Sequence, residues 1–164
     1  MKGRLPAYKR SFFSSPERSD GLQLTMMCDG SLVYTDFFVD RRFEGYKNVV
    51  HGGMIFGVLD SIIWYVILLE TKKMAMTRKV EMEFLKPIAC NIHYRAQGKF
   101  VRMEKKDIHA TAWVEDGNGE IYARMNAVFR EGKKIDLQGV ANRMELDTAT
   151  PEMREFFLSL GRQD

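Results

Sequence analysis

The chain has 164 residues, 45% of them apolar, which fits one globular domain with a full core. Its net charge of +3, with both signs spread along the sequence, is too mild to argue for nucleic acid as a partner. Its cysteines, Cys28 and Cys90, show no metal-ligand spacing, so they read as reduced structural thiols with the cytoplasm as compartment and no metal site.

Residues 1–20 are polar and without period, and Pro6, Ser14, Ser15 and Pro16 read as a loose arm that Phe12-Phe13 anchors. No apolar stretch follows the charged start, so no signal peptide is expected. Leu22 to Met26 alternates, Cys28-Asp29-Gly30-Ser31 offers a turn, and Leu32 to Val39 resumes strand-like composition, which together predict a β-hairpin. Asp40 to Lys47 is charged and reads as a loop.

A glycine-rich turn, Asn48-Val49-Val50-His51-Gly52-Gly53, then leads into an almost wholly apolar run. The run is too long for one strand and predicts a buried helix over about 52–71, closed by Lys72 and Lys73 at the negative end of its dipole. From Met54 to Leu69 it is shorter than a membrane span, and it contains Asp60, so a core helix explains it better than a membrane helix. A carboxylate in such a run is costly unless it has a partner or a task.

The period then changes to that of strands. Thr77 to Leu85 alternates and stops at Lys86-Pro87; Ile92–Val101, Asp107–Glu115 and Glu120–Arg130 follow, with a tight turn at Asp116-Gly117-Asn118-Gly119. Beyond Gly132 the tail is polar, with Thr150-Pro151-Glu152 predicting the start of a short helix through Leu160. Hairpin, apolar helix and a meander of about four strands make an α+β layer in which one antiparallel sheet curls around one helix. The division expected is an arm over 1–20, a domain over 21–132 and a tail over 133–164.

Two blocks carry a family resemblance. His51-Gly52-Gly53, six residues and then Asp60 resembles the signature of hotdog-fold acyl-CoA thioesterases of the phenylacetyl-CoA thioesterase type. Thr77 to Pro87 resembles the strand that follows the helix there. A third block, Ser11-Phe12-Phe13 through Gly21 to Leu24, has serines where one branch of the family has cysteines, so no metal or disulfide carries over. The resemblance spans roughly residues 11–130 and implies the hotdog fold, a homodimer or tetramer, and hydrolysis of an acyl-CoA with coenzyme A as part of the substrate and no cofactor.

The chemistry suits those residues. A thioester attacked by water develops an oxyanion, and the unsatisfied N–H groups of a helix N-terminus stabilise it. The Gly53 N–H is the expected donor, Gly52 leaves the approach open, and His51 positions the thioester. Asp60 is the general base for water, or the nucleophile that forms an anhydride; both roles stay open. Thr77 stands where relatives carry Ser or Thr and is expected to hold the attacking water. Some relatives have an asparagine several residues before the histidine. Here Asn48 lies three residues before His51 and Gly45 takes the more distant place. For the coenzyme A phosphates the candidates are Arg102, Lys105 and Lys106 in a basic turn, with Arg41 and Arg42 in the loop before the motif.

Nine positions separate His51 from Asp60, which along a helix is a rise of about 13 Å and about half a turn. Both cannot touch one carbonyl from a single chain, so a catalytic role for both predicts a homodimer with two composite sites. Trp64, Tyr65, Phe56, Met54, Met74 and Met76 are core or acyl-pocket residues. His93 and His109 have no second metal-type ligand at useful spacing, and no Ser-His-Asp order, nucleotide fingerprint or zinc spacing is present. The alternative function is a non-catalytic acyl-CoA-binding module on the same fold.

Overall fold

A computed structural model of the chain describes residues 1–132 and 137–160. Its central element is helix α1, Gly52–Thr71, and ten of its side chains are buried. By length and composition alone α1 is long and apolar enough to cross a membrane; in the structure it packs into the core against the sheet. Lys72 ends it in a left-handed conformation, with its N–H on the Leu68 carbonyl.

The sheet has seven strands. They are β1 (Lys2–Arg4), β3 (Met27–Asp29), β4 (Leu32–Phe38), β7 (Ala75–Phe84), β8 (His93–Glu104), β9 (Asp107–Glu115) and β10 (Ile121–Glu131). The spatial order is β1-β3-β4-β8-β9-β10-β7, all antiparallel. The hairpin forms at Gly30, which has φ 63, but its first strand is shorter and later than the alternation of 22–26 predicts. The meander is also corrected: β7 does not neighbour β8 but crosses to the far side of β10 and becomes an edge. Sequence-adjacent strands usually pair, yet here β4 takes the place beside β8 and leaves β7 to the other end.

Strand alternation puts Val33, Thr35, Phe37, Tyr94, Ala96, Ile108, Ala110, Ala112, Val114, Ala123, Met125, Ala127 and Phe129 on the buried face. Many of these are small, so α1 lies close to the sheet. At Gly98 an added Cβ would come within 2.8 Å of Ile62 on the helix.

The two ends of the chain pack onto this domain, which corrects the expectation of a loose arm. Two-residue strands β2 (Ala7–Tyr8) and β11 (Met144–Glu145) pair, and a small hairpin of β5 (Glu44–Tyr46) and β6 (Val49–Val50) precedes α1. Leu5, Ser14 and Ser15 are buried, and Ser15 donates to Glu145 at 2.9 Å. A few apolar anchors among polar neighbours suffice to dock the arm, and such a pattern has no period to read. The tail holds a short helix α2 (Leu137–Asn142), which the sequence reading lacked, and the expected helix α3 (Pro151–Leu160), with Met153, Phe157 and Leu160 buried. Thr150 does not cap α3 with its side chain; its hydroxyl donates to the Arg4 carbonyl, and its Oγ1 lies where a Cβ on Gly3 would stand. Gly3, at φ 142, is therefore required by close approach. Part of the tail's expected extent, residues 133–136 and 161–164, lies outside the described residues.

Candidate active site

The mid-helix carboxylate has a partner. Thr77 Oγ1 donates to Asp60 Oδ1 at 2.7 Å. A backbone irregularity makes this bond. Val80 pairs with Ala127 and Lys79 with Val128, but Phe129 pairs with Thr77, so Arg78 is an extra residue in β7. Paired residues in an antiparallel sheet share a face. Strict alternation from Val80, which packs on the core, would point Thr77 outward. The bulge returns Thr77 to the face of buried Phe129, toward α1, while Arg78 turns outward to Asp107 at 2.8 Å.

Burial pushes the Asp60 carboxyl above its ordinary range, and the Thr77 hydroxyl opposes that shift. Asp60 Oδ2 has no hydrogen-bond partner among the described residues, so one oxygen is held and the other is open to a water or a carbonyl carbon. Removing the Thr77 hydroxyl is therefore expected to raise the Asp60 pKa further. The acid limb of any Asp60-dependent activity should move to higher pH in Thr77→Ala and stay in place in Thr77→Ser, and a pH-rate profile of the three proteins checks it. The same change should cost about tenfold to a hundredfold in rate, the worth of a hydrogen bond to a charged group.

A cavity of about 250 Å³ adjoins Asp60, lined also by Tyr8, Ser11, Ser14, Ser61, Trp64, Tyr65 and Met74. Three of these come from the arm.

The other half of the expected site lies at the start of α1. His51 is the N-cap residue, and its Nδ1 accepts from the Gly53 N–H at 2.9 Å. The Gly53 N–H is thus occupied, where the sequence reading has it open to an oxyanion. A histidine two residues ahead of a helical N–H is a ready cap, which spacing alone does not reveal. When the imidazole is neutral, this bond leaves its proton on Nε2. The Met54 N–H goes to the His51 carbonyl, and the Gly52 N–H has no partner among the described residues. Gly52 lies under the Phe84 ring, where an added Cβ would come within 3.1 Å of Cζ, and a Cβ on Gly45 would come within 3.2 Å of the His51 ring. A side chain at Gly45 would press on His51, and one at Gly52 would press on Phe84.

A second cleft opens at this end, lined by Tyr46, Val49, Gly52, Ile55, Phe84 and Leu85 among others. Tyr46 is 85% exposed and Phe84 57%. The structure therefore brings Asp60 to Thr77, and His51 to Gly52 and Gly53, but does not bring these two groups together within one chain.

The remaining expected residues lie apart. Asn48 has φ 62 in the β5–β6 turn, with its N–H on Glu44 and its carbonyl accepting from Cys90. Lys105 and Lys106 form the β8–β9 turn, with Lys105 at φ 57, and Arg102 is paired with Glu104. The Lys106 carbonyl accepts from Glu131, whose register partner is Ala75, so this turn shares the end of the sheet that carries Thr77. Among the described residues no group of His, Cys, Asp and Glu could hold a metal ion.

Residues 47–123 match the family model described as the thioesterase superfamily. A relative of this chain is an uncharacterised protein of Schizosaccharomyces pombe, 27% identical over 114 residues, which are 66% of this chain and 64% of the relative. The chain thus spans just under two thirds of that curated relative. Among solved structures, the fold is similar to a Streptococcus mutans protein bound to acetyl CoA, with TM-score 0.61, 19% identity, and coverage of 68% of this chain and 90% of the other. It is also similar to the E. coli PaaI protein from the phenylacetic acid degradation operon, with TM-score 0.62, 15% identity, and coverage of 68% and 81%.

Proposed function

From the premise that this chain has the hotdog fold and that its residues 47–123 match the thioesterase superfamily, we propose that it hydrolyses an acyl-CoA thioester to coenzyme A and a carboxylic acid. The observation that carries the proposal is the Thr77–Asp60 hydrogen bond. It is built by a strand bulge, it holds one oxygen of a half-buried carboxylate, and that carboxylate lines a cavity of about 250 Å³. A neighbour in fold that binds acetyl CoA supports coenzyme A as the carrier.

In this reading Asp60 either takes a proton from the water that attacks the thioester carbonyl, or attacks that carbonyl itself, expelling the coenzyme A thiolate and leaving an anhydride that water then cleaves; Thr77 holds the carboxylate, and the α1 N-terminus of a second copy receives the oxyanion. The edge of β7 has no strand beyond it among the described residues, and Met76, Phe84 and Leu85 stand exposed along or just after it. A second copy meeting this edge would cover them and bring its own His51, Gly52 and Gly53 to Asp60. The thioester oxygen would take the Gly53 N–H from His51 Nδ1, and the released imidazole would line the entrance. The Gly52 N–H stands beside it as a further donor. Arg102, Lys105 and Lys106 would meet the phosphates, with Arg102 exchanging Glu104 for them. Free, buried Cys28 and Cys90 fit a reducing compartment such as the cytoplasm.

The occupied Gly53 N–H is the one observation that favours the alternative, an acyl-CoA-binding module without turnover. Purified protein offered a panel of acyl-CoAs, with thiol release followed, decides between them. Steady release supports hydrolysis. Tight binding of a non-hydrolysable thioether analogue, with no thiol released from the matching thioester, supports the binding module.

A further inference from the structure

We propose that Asp107, itself held by Arg130, is a positioning residue for this site: it keeps Arg78 on the outer face of the sheet, so that Thr77 and not Arg78 is the partner of Asp60. The inference rests on the acyl-CoA reading above. It adds to that reading a residue that lines neither the Asp60 cavity nor the cleft at the start of α1.

The bulge in β7 puts two side chains in competition for one place. Without the extra residue, alternation from Val80 would set Lys79 outward, Arg78 inward and Thr77 outward. The side chain facing α1 at Asp60 would then be a guanidinium. A guanidinium and a carboxylate attract more strongly where both are partly out of water, so the regular register has a stabilising contact of its own. The strand offers little resistance to it, because among the described residues β7 is an edge that pairs with β10 alone. Arg78 has no register partner in β10, so the ladder does not set its direction. Among the described residues no basic side chain lines the Asp60 cavity, and the other titratable groups there are Tyr8 and Tyr65. An inward Arg78 would bring a cation to a place that has none.

A clamp on the opposite face holds Arg78 out. Its Nη1 donates to Asp107 Oδ2 at 2.8 Å. The same carboxylate accepts a two-pronged contact from Arg130, Nε to Oδ1 at 2.7 Å and Nη2 to Oδ2 at 2.8 Å. Arg130 and Asp107 are register partners on β10 and β9, so Arg130 fixes the carboxylate from the next strand. Arg78 reaches across β10 to meet it. One carboxylate thus ties the edge strand to two inner strands at the level of the bulge. Ion pairs as exposed as these add little to stability. Their effect here is a choice of direction for one side chain. Loss of the clamp should therefore show at Asp60 and not in the melting temperature.

The test removes the clamp with Asp107→Ala in the full chain and reads Asp60 in two ways. One is kcat and its acid limb on the acyl-CoA that the panel above shows to be cleaved fastest. The other needs no turnover: NMR titration of protein with isotope-labelled aspartate, in which the Asp60 carboxyl is the signal that Asp60→Asn deletes. With Arg78 free to turn in, the Asp60 titration and the acid limb should move to lower pH. The value of kcat should fall about tenfold to a hundredfold, the worth of the hydrogen bond to Thr77, with KM little changed. Thr77→Ala moves the titration the opposite way, which separates an arriving guanidinium from a lost hydroxyl. In an Arg78→Gln background, Asp107→Ala should no longer lower it. If the titration falls only while Arg78 is present but no thioester is cleaved, the clamp stands and hydrolysis falls. A titration that Asp107→Ala leaves in place or raises overturns the clamp, and so does a fall that persists with Arg78→Gln; thiol release by the wild type then leaves hydrolysis standing.

Discussion

Asp60→Asn is expected to lower kcat on the best acyl-CoA by about a thousandfold, with KM little changed. The substitution keeps the shape and keeps an oxygen that accepts from Thr77 Oγ1, but it removes the base or nucleophile. It should not unfold the protein, and the sign of its effect on stability follows from the shift in pKa. Burial raises the Asp60 pKa in the folded state, so the folded protein holds this proton more tightly than the unfolded chain does. Stability therefore falls as pH rises from the ordinary carboxylate range through the raised folded value, and above it the ionised group carries a constant cost. Asparagine has no such cost. Melting temperatures at about pH 8 should be equal or higher in Asp60→Asn than in the wild type, and the difference should shrink toward about pH 4, near the ordinary carboxylate value. A variant that lost activity by unfolding would instead melt lower at both. The same raised pKa predicts that the wild-type rate falls on the acid side at a pH above the usual carboxylate range. If Asp60→Asn keeps wild-type kcat, Asp60 has no part in the reaction.

Gly53→Val is the second large effect. A Cβ at Gly53 would stand 3.0 Å from His51 Nδ1, so a branched side chain displaces the ring and fills the approach to the N–H. The expected loss is about a hundredfold in kcat, the scale of losing one oxyanion donor. Displacing His51 removes the cap on α1, a cost of about 1 kcal/mol, which valine's helix propensity over glycine partly offsets, so the melting temperature should fall only slightly. Measurement of kcat together with a melting curve separates this from misfolding. Retention of near-wild-type kcat would show that no oxyanion forms at the start of α1.

Much of this molecule is legible in the sequence because long apolar patterns are hard to misread. The span of α1 follows from its almost wholly apolar run, and the carboxylate within it draws attention because such a charge needs a partner. The buried faces of β8, β9 and β10 follow from alternation. Other features depend on contacts between distant segments. No period in the arm announces that Leu5, Ser14 and Ser15 are buried, because its anchors are sparse and its neighbours polar. The edge position of β7 depends on β4 having taken the place beside β8.

At the candidate site the limit is finer. Thr77 is prominent in the sequence for its place in the motif, but alternation from Val80 would face it outward, and only the extra residue Arg78 turns it to Asp60. His51 and Gly53 are adjacent in the motif, yet their mutual hydrogen bond is a matter of side-chain geometry. The spacing of His51 and Asp60 does carry information: about 13 Å along a helix separates them, and the two groups occupy different clefts of one chain.

The central claim is that one site takes Asp60 from one copy and the start of α1 from another. Subunit exchange between Asp60→Asn and Gly53→Val tests it most directly. In a mixed dimer one site would carry both defects and the other neither. An equal mixture forms about half mixed dimers if pairing is random, so thiol release should recover to about a quarter of the wild-type rate. Activity that stays at the average of the two parent proteins after exchange would contradict the account, because each site would then belong to a single chain.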